Sequence, residues 1–312
     1  MKLPPCGPWR ICFYLPMTRI AALALSALAA TAAPPSRPLT PTDIVASAPA
    51  SAWLSIDPGD LLAMKLKNGG EVLIQLAPEF APVHVANIRA LARAHWWDKA
   101  TIYRVQDDYV VQWGKNDGKD PLPAGVVAQP PAEYARPTRG LAIRPLGYPD
   151  DYAPRAGFAD GWPIAYDPRS GTANLVHCYG YVGAGRDLSP DTGTGGELYA
   201  VIGHAPRHLD RNIALVGRVI EGIEHLSSLP RGTGDLGFYK NPANAVPIAS
   251  VRLVSDLPAN RRPSFQYLDT SSPAFAAYVH ARANRHDAFF IRPAGGVDVC
   301  NAPVPIRRTP IP

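Results

Sequence analysis

Residues 103–114 read Tyr103-Arg104-Val105-Gln106-Asp107-Asp108-Tyr109-Val110-Val111-Gln112-Trp113-Gly114. β-Branched and aromatic residues stand on both sides of two adjacent aspartates. That composition predicts a strand pair, or one bent strand, with its turn at Asp107-Asp108. Side chains alternate across a strand, so Val110 and Gln112 share a face. If the turn folds the strand back, Arg104 lies beside that face. The product is a guanidinium next to an apolar patch, with an amide close by.

The flanks extend the same pattern. Leu62, Met64 and Leu66 alternate with polar residues before Asn68-Gly69-Gly70, and Val72, Ile74 and Leu76 alternate after it. Two such runs around Asn-Gly predict a hairpin. Pro82 to Ala94 places Val85, Ile88, Leu91 and Ala92 on one helical face, with Pro82 where a first turn tolerates it. Residues 115–170 read as long, Pro- and Gly-rich loop. Further strands are predicted at 175–182, 198–202, 214–219 and 249–254, with a surface loop over 183–196 and a short helix over 220–229. The 35 prolines and 26 glycines, against 18% charged residues, fit a loop-rich body built on strands. This order of elements suits an antiparallel barrel or sandwich closed by two helices. It excludes a doubly wound sheet, which needs a helix after nearly every strand.

The ends differ in character. From Met17 the chain reads MTRIAALALSALAATAAPPS. Arg19 opens a short apolar run over 20–30, and Ala30-Thr31-Ala32 suits a cleavage site. Residues 1–32 are therefore expected to be a signal peptide, with Met17 its true start and 1–16 an upstream mis-start. The run falls well short of the ~20 residues that span a bilayer, and no later segment is long and apolar enough, so no membrane span is expected in the mature chain. Residues 33–58 read as a linker, 59–258 as the folded domain and 259–312 as a C-terminal extension with one helical pattern near 274–283. The leader holds Lys2, Arg10 and Arg19 and no acid, so its removal brings the formal charge of +5 down to +2. That is too weak to suggest nucleic acid as a partner. Cys178 and Cys300 remain after cleavage. They form either a disulfide tying the extension to the body or two separate thiols.

Two later segments join the first. One is Gly196-Glu197-Leu198-Tyr199-Ala200-Val201-Ile202-Gly203. The other runs from His208-Leu209-Asp210-Arg211-Asn212-Ile213 through Val216-Gly217-Arg218-Val219. Together with Ala81-Pro82-Val83-His84-Val85-Ala86-Asn87-Ile88, these resemble the cyclophilins over roughly residues 60–256. Arg104 and Gln112 match the family's Arg and Gln. Tyr109 and Val110 stand for its Phe-Met, Glu197-Leu198-Tyr199 for Gln-Phe-Phe, Leu209-Asp210-Arg211 for Leu-Asp-Gly, and Val216-Gly217-Arg218-Val219 for Phe-Gly-x-Val. Residues 234–247 resemble the closing loop of bacterial members. The resemblance implies a mostly β, closed antiparallel barrel with two capping helices and long loops. It also implies a peptidyl-prolyl cis/trans isomerase (a rotamase) that uses no cofactor or metal. Arg104 takes the catalytic role, and Tyr109, Val110, Gln112, Glu197, Tyr199, His208 and Leu209 bind substrate. The implied partners are proline-containing peptides and unfolded exported proteins in the periplasm, met by a monomer.

The departures are specific. Glu197 replaces a neutral Gln and is placed to pair with Arg104 and compete with substrate. His208 stands where Trp or Phe is common, which implies weak cyclosporin binding. Ile213 stands where eukaryotic members have His. The family's Met-Ala-Asn strand is expected near 176–180. These changes support an alternative: a catalytically weak module that holds Pro-containing segments or a partner protein. A structural envelope protein acting through 259–312 is a third reading. Other chemistry is poorly supported. A strand Arg is ordinarily a solvated one, and only its neighbourhood singles out Arg104. His177-Cys178 lacks the further ligands of a zinc site. Asp107-Asp108 is simplest as a turn, and Ser189 and His204 form no triad.

Overall fold

The computed structural model describes residues 38–115 and 120–309. The predicted leader lies outside them. The first hairpin forms as read: Leu61–Leu66 pairs with Glu71–Leu76, Leu62 opposite Ile74 and Met64 opposite Val72. Gly69 sits at φ +95°, which a side chain at that turn position would resist. Six more strands complete a closed antiparallel barrel. Its circuit is Tyr181–Ala184, Leu198–Val201, Val110–Gly114, Thr101–Val105, Val246–Leu253, Leu61–Leu66, Glu71–Leu76 and Leu215–Glu221, which returns to Tyr181–Ala184. Closure removes the exposed edges of an open sheet.

Two helices fill the barrel. Pro82–Arg93 sends Val85, Ile88 and Leu91 into the core beside Trp97 and Trp113, all fully buried. The second helix is shorter than predicted. Residues 220 and 221 belong to the Leu215–Glu221 strand, Gly222 turns the chain at φ +84°, and one helical turn follows at Glu224–Ser227. Leu226 and Leu229 still reach the barrel core.

The stretch read as loop over 115–170 is more ordered than predicted. It contributes Arg136–Pro137, Arg144–Pro145, Arg155–Ala159 and Trp162–Asp167, which join Thr172–Leu175 in a five-stranded sheet. Its central hairpin turns at Asp160-Gly161, both with positive φ. Asp-Gly between apolar runs is a hairpin signal, but Pro163 and Gly157 within the strands obscured the alternation.

Residues 38–58 and 259–309 pair with each other. Trp53–Ser55 lies against Phe265–Leu268, which lies against Ile306–Arg308. The helices Pro41–Ser47 and Pro273–Ala283 accompany them. Phe265 and Ile56 cover Leu61, Ala63 and Leu73 on the outer face of the first hairpin, so that hairpin is buried on both sides. Phe275 and Tyr278 pack on Phe158 and Ile164 of the five-stranded sheet, and the Phe158 and Phe275 rings meet edge to face at 4.8 Å. The cysteines are paired: Cys178–Cys300 forms a disulfide between residues 122 apart, the Cα atoms 5.2 Å from each other.

The Pro41–Ser47 helix starts with a capping box. Thr40 Oγ1 accepts from the Asp43 N–H at 3.1 Å, and Asp43 accepts from the Thr40 N–H at 2.9 Å. Thr40→Ala is expected to lower stability by about 1 kcal/mol, read as a shift of the urea midpoint with unchanged slope.

Candidate active site

The turn at Asp107-Asp108 folds residues 103–114 into two strands. Arg104 then lies opposite Gln112, and Gln112 opposite Tyr199 on the next strand. Val110 lies opposite Val201, and Gly183 opposite Tyr199. Cross-strand partners share a face, so these residues form one patch on the outside of the barrel. Asp108 accepts from the His204 N–H at 2.7 Å, and Asp107 pairs with Arg231. Both aspartates hold turns.

The Arg104 guanidinium is fixed on three sides. Nε donates to the Leu236 carbonyl at 2.7 Å, Nη1 to Gln112 Oε1 at 3.0 Å and Nη2 to Gln106 Oε1 at 2.6 Å. The Phe238 ring lies 5.4 Å and the Tyr109 ring 6.0 Å from its central carbon. Desolvation lowers the Arg104 pKa from its ordinary value, yet arginine stays charged in proteins. An arginine has five N–H donors. Among the described residues, one N–H on each of Nη1 and Nη2 is left for a ligand.

A relay runs from Arg104 to Glu197. Gln112 accepts from Arg104 and donates through Nε2 to the Tyr103 oxygen at 2.7 Å. Tyr103 in turn donates to Glu197 Oε2 at 2.6 Å. Burial, then the Glu197 carboxylate, pushes the Tyr103 phenol far above its ordinary pKa, so it remains a donor. The other carboxylate oxygen accepts from the Lys115 N–H at 2.8 Å. Among the described residues, no ion pair joins Glu197 to Arg104. The extra negative charge fixes Tyr103, which fixes the amide that holds the arginine.

Val110, Tyr199 and Val201 form a small apolar cluster beside Arg104, with Tyr109 and Ile213 packed on it. Burial holds the Tyr199 phenol well above its usual pKa, helped by Tyr109 and Asp210. Exposed His208 lies parallel to the Tyr109 ring with centroids 6.2 Å apart. Leu209 is half-buried on the neighbouring turn, outside the residues packed on that cluster. A cleft of ≈ 460 Å³ opens beside the relay, between Tyr103, Gln112 and Phe238 and the loop carrying Arg186, Asp187 and Asp191.

Two placements differ from the sequence reading. Residues 176–180 form no strand; the strand bordering the cluster is Tyr181–Ala184. The reading also missed the Leu236 carbonyl, which approaches Arg104 from 132 residues away, and Phe238 just beyond it. The segment 234–247 showed only as a closing loop, and no local pattern aims Phe238 at Arg104. His177 meets Asp210 and Tyr199, and among the described residues no group of His, Cys, Asp and Glu is arranged to hold a metal ion.

A family model described as cyclophilin type peptidyl-prolyl cis-trans isomerase/CLD matches residues 61–253. Two proteins named probable peptidyl-prolyl cis-trans isomerase, from Brucella suis biovar 1 and Brucella melitensis biotype 1, are each 24% identical over 192 residues. The alignments cover 60% of this chain and 80% of those proteins. The crystal structure of cyclophilin AquaCyp293 from Hirschia baltica superposes with a TM-score of 0.66 at 25% identity. It covers 86% of this chain and 97% of that one, so the likeness extends beyond the segment matched by the family model.

Proposed function

This chain belongs to the cyclophilin-type peptidyl-prolyl cis-trans isomerases, and from that premise we propose that it catalyses proline isomerisation in exported proteins in the periplasm, with Arg104 as its catalytic residue. Its substrates are proline-containing peptides. The observation that carries the site assignment is the tethered Arg104 guanidinium, with two free N–H groups beside the Val110, Tyr199 and Val201 cluster. Turning an X–Pro bond removes amide resonance against a barrier of ~18–20 kcal/mol, and no bond breaks. The prolyl nitrogen becomes pyramidal and basic only in the twisted state. A hydrogen bond from Arg104 formed at that point lowers the barrier, whereas equal binding of both states does not. Tyr109, Val110, Tyr199 and Ile213 hold the proline ring. Gln112 holds the arginine and is placed to meet the substrate carbonyl. Residues 59–258 form the catalytic domain, and 259–309 of the C-terminal extension pack on it. The alternative of a catalytically weak binding module rests on the substituted pocket and on Glu197 competing for Arg104. A carboxylate occupied by Tyr103 and Lys115 favours turnover.

Export is supported by the leader-like residues 17–32 and by the Cys178–Cys300 disulfide, a bond that persists in oxidising compartments. Expressed in a Gram-negative cell, the full chain is expected in the periplasmic fraction with its N-terminus at Ala33. The isolated product is expected to speed cis/trans exchange of a short X–Pro peptide. A full-length cytoplasmic product would overturn export, and a rate equal to that of peptide alone would overturn the isomerase site.

A further inference from the structure

We infer that His177 and Asp210 are positioning residues for isomerisation, which hold Tyr199 as the wall of the proline pocket and connect that wall to the 120–170 segment and the C-terminal extension. The inference rests on the reading of Tyr199 as pocket lining.

The Tyr199 hydroxyl lies 2.9 Å from His177 Nε2, and the two rings are nearly parallel. Asp210 Oδ1 accepts from the His177 backbone N–H at 3.0 Å and lies 2.8 Å from Nδ1. With a carboxylate at Nδ1, that nitrogen carries the proton. Nε2 is then the ring nitrogen that shares a hydrogen bond with the Tyr199 hydroxyl. The phenol is thereby drawn into protein, His177 being fully buried, and the pocket is left with a carbon surface. Gly183 makes room for this. A Cβ at 183 would fall 2.3 Å from both Cζ and the hydroxyl oxygen of Tyr199.

The chain of contacts continues past Asp210. Its Oδ2 accepts from Arg207 Nε at 2.5 Å. Arg207 then grips Asp150 with both terminal nitrogens, at 3.0 and 3.1 Å, and lies 3.9 Å from Asp298. Asp150 lies between the Arg144–Pro145 and Arg155–Ala159 strands of the five-stranded sheet. Asp298 belongs to the extension and accepts from the Cys300 N–H at 2.7 Å. Cys300 is bonded to Cys178, the residue after His177. His177 is thus held on one side by Asp210 and on the other by the disulfide. Both restraints lead to segments outside the barrel, which gives those segments a part in the chemistry.

The test is a double-mutant cycle in the mature protein, with an X–Pro peptide as substrate. His177→Ala frees the phenol and is expected to raise KM about fivefold, the scale of one lost hydrogen bond, with kcat little changed. His177→Gln, whose amide accepts at one end and donates at the other, is expected to restore most of that loss. In a Tyr199→Phe background there is no hydroxyl to hold, so His177→Ala is expected to change KM by less than about twofold. If His177→Ala does not fold, His177→Leu, which fills the space without accepting a hydrogen bond, takes its place. A lowered Tm with KM unchanged would make His177 merely structural and overturn the inference. So would an equal rise in KM in the Tyr199→Phe background. If the wild-type protein shows no turnover, the same cycle read as Kd for the peptide separates failure of the isomerase reading from failure of this one.

Discussion

Arg104→Ala is expected to lower kcat/KM on an X–Pro peptide about a hundredfold while the barrel stays folded. Removing one fixed donor from a developing charge typically costs this much, about 2.7 kcal/mol of barrier. The fold should survive because Arg104 lies on the outer face of its strand and contributes nothing to the barrel core. Its three tethers run to two glutamine side chains and one loop carbonyl, all near solvent. Arg104→Lys is expected to rescue little. An ammonium cannot hold Leu236, Gln112 and Gln106 at once and still present a donor at a fixed angle. Tyr103→Phe tests the relay at one remove. It takes from Gln112 the Tyr103 acceptor and from Glu197 the Tyr103 donor, and an effect near fivefold is expected. An Arg104→Ala protein within about threefold of wild type, with an unchanged circular-dichroism spectrum, would remove the arginine from the mechanism.

The legible part of this site is the part built from residues close in sequence. Arg104 and Gln112 are eight residues apart, and one turn brings them together. Alternation then fixes which side chains share their face, and residues 198–201 supply the next strand in register. The groups that tune the site are distant in the chain. Phe238 and the Leu236 carbonyl arrive through a loop with Leu236 at φ +53°, a conformation nothing in its own identity announces. His177 reads as part of a strand because residues 175–182 are rich in β-prone Leu175, Val176, Tyr179, Tyr181 and Val182. The strand in fact breaks at 176–180, where the chain passes from the five-stranded sheet to the barrel. Glu197 was legible as a charge but not in its effect. Whether a carboxylate there pairs with Arg104 or with Tyr103 depends on where a buried phenol sits. The five-stranded sheet stayed hidden for another reason. Prolines and glycines in its strands lower β-propensity, and packing against Phe275 and Tyr278 overrides that preference.

Replacing both Cys178 and Cys300 by Ser is expected to lower unfolding free energy by about 4–5 kcal/mol. The crosslink spans 122 residues of sequence, and cutting it restores to the unfolded chain the freedom of a long loop. Little native contact is lost in exchange. Cys178 is buried among apolar side chains that also include Val299 and Ala302 of the extension, and those contacts remain. The loss should therefore appear in urea unfolding as a lower midpoint. Treating the wild-type protein with dithiothreitol should reproduce it, and the same reductant should leave the double-Ser variant unchanged. Total stabilities of single domains are about 5–15 kcal/mol, so a loss of this size leaves little margin. A chain made and kept in a reducing compartment would carry that deficit permanently, which gives the proposed export a thermodynamic reason. A double-Ser variant within about 1 kcal/mol of wild type would mean that Phe275, Tyr278 and Val299 hold the extension unaided. The disulfide would then be dispensable to the fold, and the stability argument for an oxidising home would fall with it.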